Sequence, residues 1–148
     1  MVIKEGIITH EAREQQRVVP YAFIFPGQGS QFVGMGLDLY EGSAAAKDLL
    51  QRADEVLKFS LSEMCFKGPE AKLNNTLHAQ SAVFVVSLAG YQATHEMHPE
   101  LRQVLPQYYA GHSLGEYAAL VAAGVLSFED ALRLVRRRGE LTENVEAE

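Results

Sequence analysis

The chain is short of cysteine, of basic charge and of long apolar runs, and each shortage closes off a class of function. One cysteine, Cys65, stands among 148 residues. It can close no internal disulfide and cannot build a zinc cluster. A lone thiol of this kind is expected to serve as a small buried hydrophobe and fits a reducing cytoplasm. Lys and Arg number 13 against 19 Asp and Glu, a net charge of −6. That argues against general nucleic-acid affinity, which needs a basic surface. The longest apolar stretches lie near Ala82–Tyr91 and Tyr117–Leu126. Each is about half the roughly 20 residues of a spanning helix, so no membrane segment is expected. The first residues carry Lys4, Glu5, Glu11, Arg13 and Glu14 and lack the apolar core of a secretory signal. Residues 1–17 are expected to be a polar, poorly ordered leader. There is no internal repeat and no low-complexity tract. What remains, 47% apolar residues over a one-domain length, is enough for a buried core in residues 18–148.

Tyr21–Phe25 is a short apolar run stopped by Pro26-Gly27, the pattern of a buried parallel strand. A helical region is expected to begin within Gly34–Tyr40. A clearer helix is predicted over Ala44–Phe59, with Ala46, Leu49, Leu50, Ala53, Val56 and Leu57 on one face. Leu61–Phe66 predicts a further helical turn, broken by Gly68-Pro69. Thr76–Met97 predicts a long helix with Ala79, Ala82, Val83, Val86, Ala89 and Gly90 inward, ended by Pro99. Its small residues imply close packing against a neighbour. A second strand is expected just before Gly111, then a helix over Glu116–Val125 ending near Gly124. Ser127 reads as an N-cap. Asp130–Glu140 follows as a helix with Ala131, Leu132, Leu134 and Val135 apolar, its pattern fading after Gly139. Alternating strands and helices indicate an α/β layered fold. Two strands are too few for a doubly covered parallel sheet.

Two motifs carry the chemistry. Gly111-His112-Ser113-Leu114-Gly115 runs from the second strand straight into a helix, the layout of a nucleophile elbow. A serine hydroxyl is a poor nucleophile unless it is exposed, near a base and faced by backbone N–H donors. A sharp strand-to-helix turn exposes it, and the helix N-terminus points its positive end at any oxyanion formed there. A side chain at Gly111 or Gly115 would crowd the strand and helix. The motif is short and arises by chance, so its placement counts for more than its letters. The other motif, Pro26-Gly27-Gln28-Gly29-Ser30-Gln31, is a glycine-rich loop whose backbone can approach a ligand closely. It lacks the Gly-Lys-Ser/Thr ending of a phosphate loop and the dinucleotide spacing, which excludes both readings. Taken alone it is a simple strand-to-helix turn.

Together, Phe25-Pro26-Gly27-Gln28-Gly29-Ser30-Gln31 and Gly111-His112-Ser113-Leu114-Gly115-Glu116 resemble the malonyl-CoA:acyl-carrier-protein transacylase family. The likeness runs from about Tyr21 to Leu141 and includes Asn74-Asn75-Thr76 with Gln80, and Arg138-Gly139-Glu140. It implies an α/β-hydrolase-like layered domain with parallel strands and a smaller ferredoxin-like subdomain. Ser113 would take the acyl group as an ester. The backbone N–H groups of Gln28 and Leu114 would form the oxyanion hole. Arg138 would hold the malonyl carboxylate, a task that suits a planar guanidinium fork. Gln80 would line the site, and His112 would support it without acting as the base. The substrate would be a coenzyme A thioester, with no bound cofactor and no metal. The partners would be malonyl-CoA and acyl carrier protein, in the cytoplasm.

The chain also departs from that pattern. The family's catalytic histidine lies in a later segment, and no histidine follows His112 here. The sequence from Thr142 onward differs from an expected Leu-Met-Gln continuation, and Ser81 stands where proline is usual. The chain therefore resembles the N-terminal half, with the ferredoxin-like subdomain and later strands absent. A truncated gene, a fragment, or a partial protein completed by a second polypeptide or by self-association would each fit. Three functions compete: malonyl transfer in fatty acid or polyketide synthesis, a serine hydrolase using the same elbow, and a non-catalytic interaction remnant. A buried Arg138 speaks against a hydrolase of neutral esters, and the missing histidine speaks for the remnant. Arg133, Arg136 and Arg137 read as solvated helix face, with a basic docking patch for the acidic carrier protein as the alternative. Glu116 reads as a first-turn acid, and His10, His78, His95 and His98 as surface or packing histidines.

Overall fold

The polypeptide alternates one strand, a run of helices, a second strand and two more helices. A computed structural model of the chain describes residues 21–103 and 105–146; the polar leader expected over 1–17, with His10, lies outside them. Strand β1 spans Ala22–Phe25. Five helices follow: α1 Leu37–Gly42, α2 Ala44–Leu57, α3 Leu61–Lys67, α4 Glu70–Leu73 and α5 Thr76–Met97. A 3₁₀ turn over Pro99–Gln103 leads to β2, Tyr108–Gly111, then α6, Gly115–Ala122, and α7, Phe128–Glu146. The two strands pair in parallel, Ala22 opposite Tyr108 and Phe25 opposite Gly111. The result is an α/β fold with a small parallel sheet and mostly helices, as the alternating pattern predicts.

Helix α5 is the axis of the core. Every residue from Ala79 to Val85 is buried, so the helix is covered all round, mainly by α2 and α7. Its bounds coincide with the expected ones, because Asn75 caps it by accepting from the Leu77 N–H at 3.0 Å and Pro99 stands beyond its end. Val86 and Gly90, expected inward, are half-buried. Helix α7 approaches α5 closely at Gly139, where a Cβ would come within 3.2 Å of Leu77 Cα. Phe84 stacks on Phe128 across the same interface, ring centroids 5.8 Å apart. Ser43 caps α2 by accepting from the Ala46 N–H at 3.1 Å, and Ser127 accepts from Asp130 N–H at 3.2 Å. Cys65 is buried in this core, and burial pushes its thiol up to about 12.

Among the described residues, the sheet packs one face only. Phe23 meets Tyr91 of α5 edge-on at 4.8 Å and stacks near Tyr109 at 6.1 Å. The other face carries Ile24, 78% exposed, and Tyr108, 70% exposed. Helix α4 has no counterpart among the expected helices, and the largest differences in helix ends fall on α6 and α7. The elbow helix ends at Ala122 rather than Val125, because Gly124 takes a left-handed conformation with φ 73°. Helix α7 continues to Glu146 where its pattern fades after Gly139. Two cross-contacts hold that extension: Glu143 accepts from Asn75 Nδ2 at 2.5 Å, and Thr142 accepts from Gln80. Among the described residues no helix is long and apolar enough to cross a membrane.

Candidate active site

Ser113 sits in a backbone conformation that serine avoids. Its φ is 53°, in the left-handed region, between the last residue of β2 and the first turn of α6. The turn is tight enough to exclude any side chain at its flanks. A Cβ on Gly111 would lie 2.0 Å from the Gly115 carbonyl carbon, and one on Gly115 would lie 2.3 Å from the Phe25 carbonyl oxygen. The crowding foreseen at both glycines is therefore real and comes from backbone, which cannot swing away. Gly115 N–H donates to the His112 carbonyl at 2.9 Å, and His112 N–H donates to the Phe25 carbonyl at 3.1 Å. The elbow is thus pinned to the end of β1, where the glycine-rich loop begins. Ser113 is exposed, while Leu114 behind it is fully buried and starts the helix.

The loop meets the elbow through Gly27. A Cβ there would stand 2.6 Å from His112 Nδ1 and 2.8 Å from the His112 carbonyl, so only glycine lets the two segments touch. Ser30 Oγ donates back to the Gly27 carbonyl at 2.9 Å. Gln31 Nε2 donates to Asn74 Oδ1 at 3.0 Å, and Gln28 Nε2 reaches Thr76 Oγ1 at 3.5 Å. The Asn74-Asn75-Thr76 segment therefore anchors the loop as well as starting α5.

A connected set of polar side chains closes the site. Arg138 of α7 donates through Nη2 to Ser113 Oγ at 2.9 Å and through Nη1 to Gln80 Oε1 at 2.7 Å. Gln80, 1% exposed on α5, donates through Nε2 to Thr142 Oγ1 at 3.0 Å and to Gln28 Oε1 at 3.3 Å. Ser113, Arg138, Gln80 and Gln28 come together although loop, elbow and two helices supply them. His112 is exposed and touches the loop; Leu114 places its backbone at the helix start. Chemically, the set puts a guanidinium against an exposed hydroxyl, with a buried amide holding the cation. That combination can recognise a carboxylate within reach of an acyl-accepting oxygen.

The other candidates stay away from this set. Arg133 and Arg137 are exposed and paired with Asp130 and Glu140; Arg136 lies over the Phe59 ring at 5.5 Å. Glu116 is exposed. His78 packs edge-on against Phe59, and burial, with Arg136 and Lys72 nearby, pushes its imidazole below the usual range. His95 packs between Phe23 and Tyr91, and His98 pairs with Glu100 at the surface. Thr142 escaped the sequence reading, which let the helix fade before it. Its i, i+4 spacing from Arg138 was the available signal.

The family model of the acyl transferase domain matches residues 22–148: the chain belongs to that family. The proteins it is similar to include malonyl transferases. The malonyl CoA-acyl carrier protein transacylase of Bacillus subtilis strain 168 is 51% identical over 119 residues, 80% of this chain and 36% of the relative. The crystal structure of acyl-carrier-protein-S-malonyltransferase from Bartonella henselae superposes with a TM-score of 0.76 at 42% identity, covering 82% of this chain and 38% of that one. A malonyl-transacylase in complex with its type II PKS acyl-carrier protein superposes with a TM-score of 0.75 at 40% identity, covering 85% and 40%. The chain spans well under half the length of these relatives.

Proposed function

We propose that this chain supplies the acyl-accepting serine and the carboxylate-holding arginine of an [acyl-carrier-protein] S-malonyltransferase. One observation carries the reading: Arg138, fixed by the buried amide of Gln80, lies 2.9 Å from Ser113 Oγ. A cation at that place discriminates a malonyl group, with its free carboxylate, from a neutral acyl group. A hydrolase of neutral esters has no use for it. Ser113 Oγ attacks the thioester carbonyl of malonyl-CoA; the N–H groups of Gln28 and Leu114 receive the developing oxyanion. The C–S bond breaks, the serine proton passes by way of a base to the leaving thiolate, and malonyl-Ser113 remains. The pantetheine thiol of acyl carrier protein then attacks that ester. The relative solved with its acyl-carrier protein supports this partner. No cofactor beyond the coenzyme A thioester takes part, and the setting is cytoplasmic fatty acid or polyketide synthesis.

No histidine follows His112, so the base for Ser113 is proposed to come from outside residues 1–148. Residues 18–148 would form the N-terminal part of the large domain of a hydrolase-like layered fold. Intact mass after incubation with malonyl-CoA tests the reading. The chain alone is expected to form little adduct. Added imidazole, an external base, is expected to raise a malonyl adduct that Ser113→Ala abolishes. A folded chain that stays unmodified with imidazole, or an adduct that survives Ser113→Ala, would overturn it.

A further inference from the structure

Thr142 begins the stretch that departs from the expected continuation, yet its side chain is bonded into the site. Gln80 is buried, so protein groups must satisfy its amide. Its Oε1 accepts from Arg138 Nη1 at 2.7 Å. Its Nε2 has two acceptors, Thr142 Oγ1 at 3.0 Å and Gln28 Oε1 at 3.3 Å. The Gln28 bond is longer and comes from an exposed loop side chain. The Thr142 hydroxyl is more firmly set. It stands 3.0 Å from the Arg138 carbonyl and 3.2 Å from the Gly139 carbonyl, and one of these takes its single proton. Thr142 Oγ1 is left with lone pairs only, an obligatory acceptor facing Gln80.

That decides which way round the amide lies. If the amide turned over, Oε1 would face the Thr142 lone pairs and Nε2 would face the Arg138 guanidinium, acceptor against acceptor and donor against donor. We propose that Thr142 is a positioning residue for the malonyl carboxylate: it fixes the Gln80 amide with Oε1 toward Arg138, and so holds the guanidinium with Nη2 at Ser113. The inference rests on the reading that Arg138 binds the carboxylate. It makes serine an adequate replacement for Thr142, and valine or alanine an inadequate one.

The test follows the guanidinium N–H signals of the ¹⁵N-labelled full chain during titration with malonate, with Arg138→Gln to assign Arg138. Thr142→Ser is expected to bind malonate within about twofold of the wild type, while Thr142→Val and Thr142→Ala bind about fivefold to tenfold more weakly, one hydrogen bond's worth. Unfolding midpoints of all three are measured alongside; a merely structural residue would lower the midpoint in step with binding and would not separate serine from valine. Undiminished binding in both Thr142→Val and Thr142→Ala, with Arg138 signals still moving, would overturn the positioning role and leave the carboxylate reading standing. Arg138 signals that ignore malonate in the wild type would overturn both.

Discussion

From Ala79 to Val85 every residue of α5 is buried, whereas along β1 and β2 burial alternates and stops at one face, leaving Ile24 and Tyr108 open. The helical layer is closed upon itself: α2, α5 and α7 supply one another's apolar surface, and Phe84, Leu88, Leu132 and Val135 are all but inaccessible. The sheet rests on the elbow helix α6 and on aromatic contacts with α5, while Ile24 and Tyr108 on its other face stand exposed. Parallel strands are ordinarily covered on both sides, because the crossovers that connect them put helices there. The candidate site lies along the seam. The strand side brings Ser113 on its strained turn; the helical side brings Gln80, Arg138 and Thr142. Gln80, Arg138 and Thr142 therefore stand on the closed helical layer, and Ser113 hangs from the half that is covered on one face.

The largest effect should come from the helical layer. Phe84→Ala removes a fully buried ring that stacks on Phe128. The tight surroundings leave little room to collapse, so a loss of about 3–5 kcal/mol is expected from urea unfolding. A loss under about 1 kcal/mol would break the comparison, for it would mean that the helical layer is not the self-sufficient core it resembles.

The same contrast governs what could be read in advance. Helix α5 was legible end to end, since Asn75 and Pro99 punctuate it locally. Gly111 and Gly115 were legible because a backbone clash is a property of a short motif. The extension of α7 past Gly139 was not. Gly139 and Thr142 lower local helix propensity, and the compensation comes from Asn75 and Gln80, far away in sequence. The convergence of Gln80 and Arg138, 58 residues apart, left no periodic trace; only the family likeness pointed to both. Loop and elbow were recognised as two motifs, but their contact at Gly27 and His112 is a tertiary fact.

A smaller and opposite effect is expected at the seam. Ser113 at φ 53° stores strain of about 1–2 kcal/mol for a residue with a Cβ. Ser113→Gly relieves it, but gives back about 0.4–1 kcal/mol through a more flexible unfolded chain. It also loses the exposed bond from Arg138. The balance favours the variant by about 0.5 kcal/mol, read as a raised denaturation midpoint, while the capacity for an acyl adduct disappears. A variant less stable by more than about 1 kcal/mol would show instead that the contact with Arg138 outweighs the strain.

The smallest effect belongs to the open face of the sheet. Ile24 is 78% exposed, so Ile24→Thr gives up little buried area and keeps a β-branched side chain suited to a strand. Unfolding of the dilute chain should change by no more than about 0.5 kcal/mol. Association should respond differently. An isoleucine beside an exposed Tyr108 on an uncovered sheet face is an apolar surface that other chains can cover. Sedimentation at increasing concentration should therefore show less self-association for Ile24→Thr than for the wild type, with the monomer's unfolding midpoint unmoved. The two readings separate cleanly. If stability falls by more than about 1.5 kcal/mol, the value expected for a buried side chain, then this face is covered within the single chain in solution and the contrast between sheet and helical layer fails. If stability and association are both unchanged, the face is open but attracts no second copy of this chain.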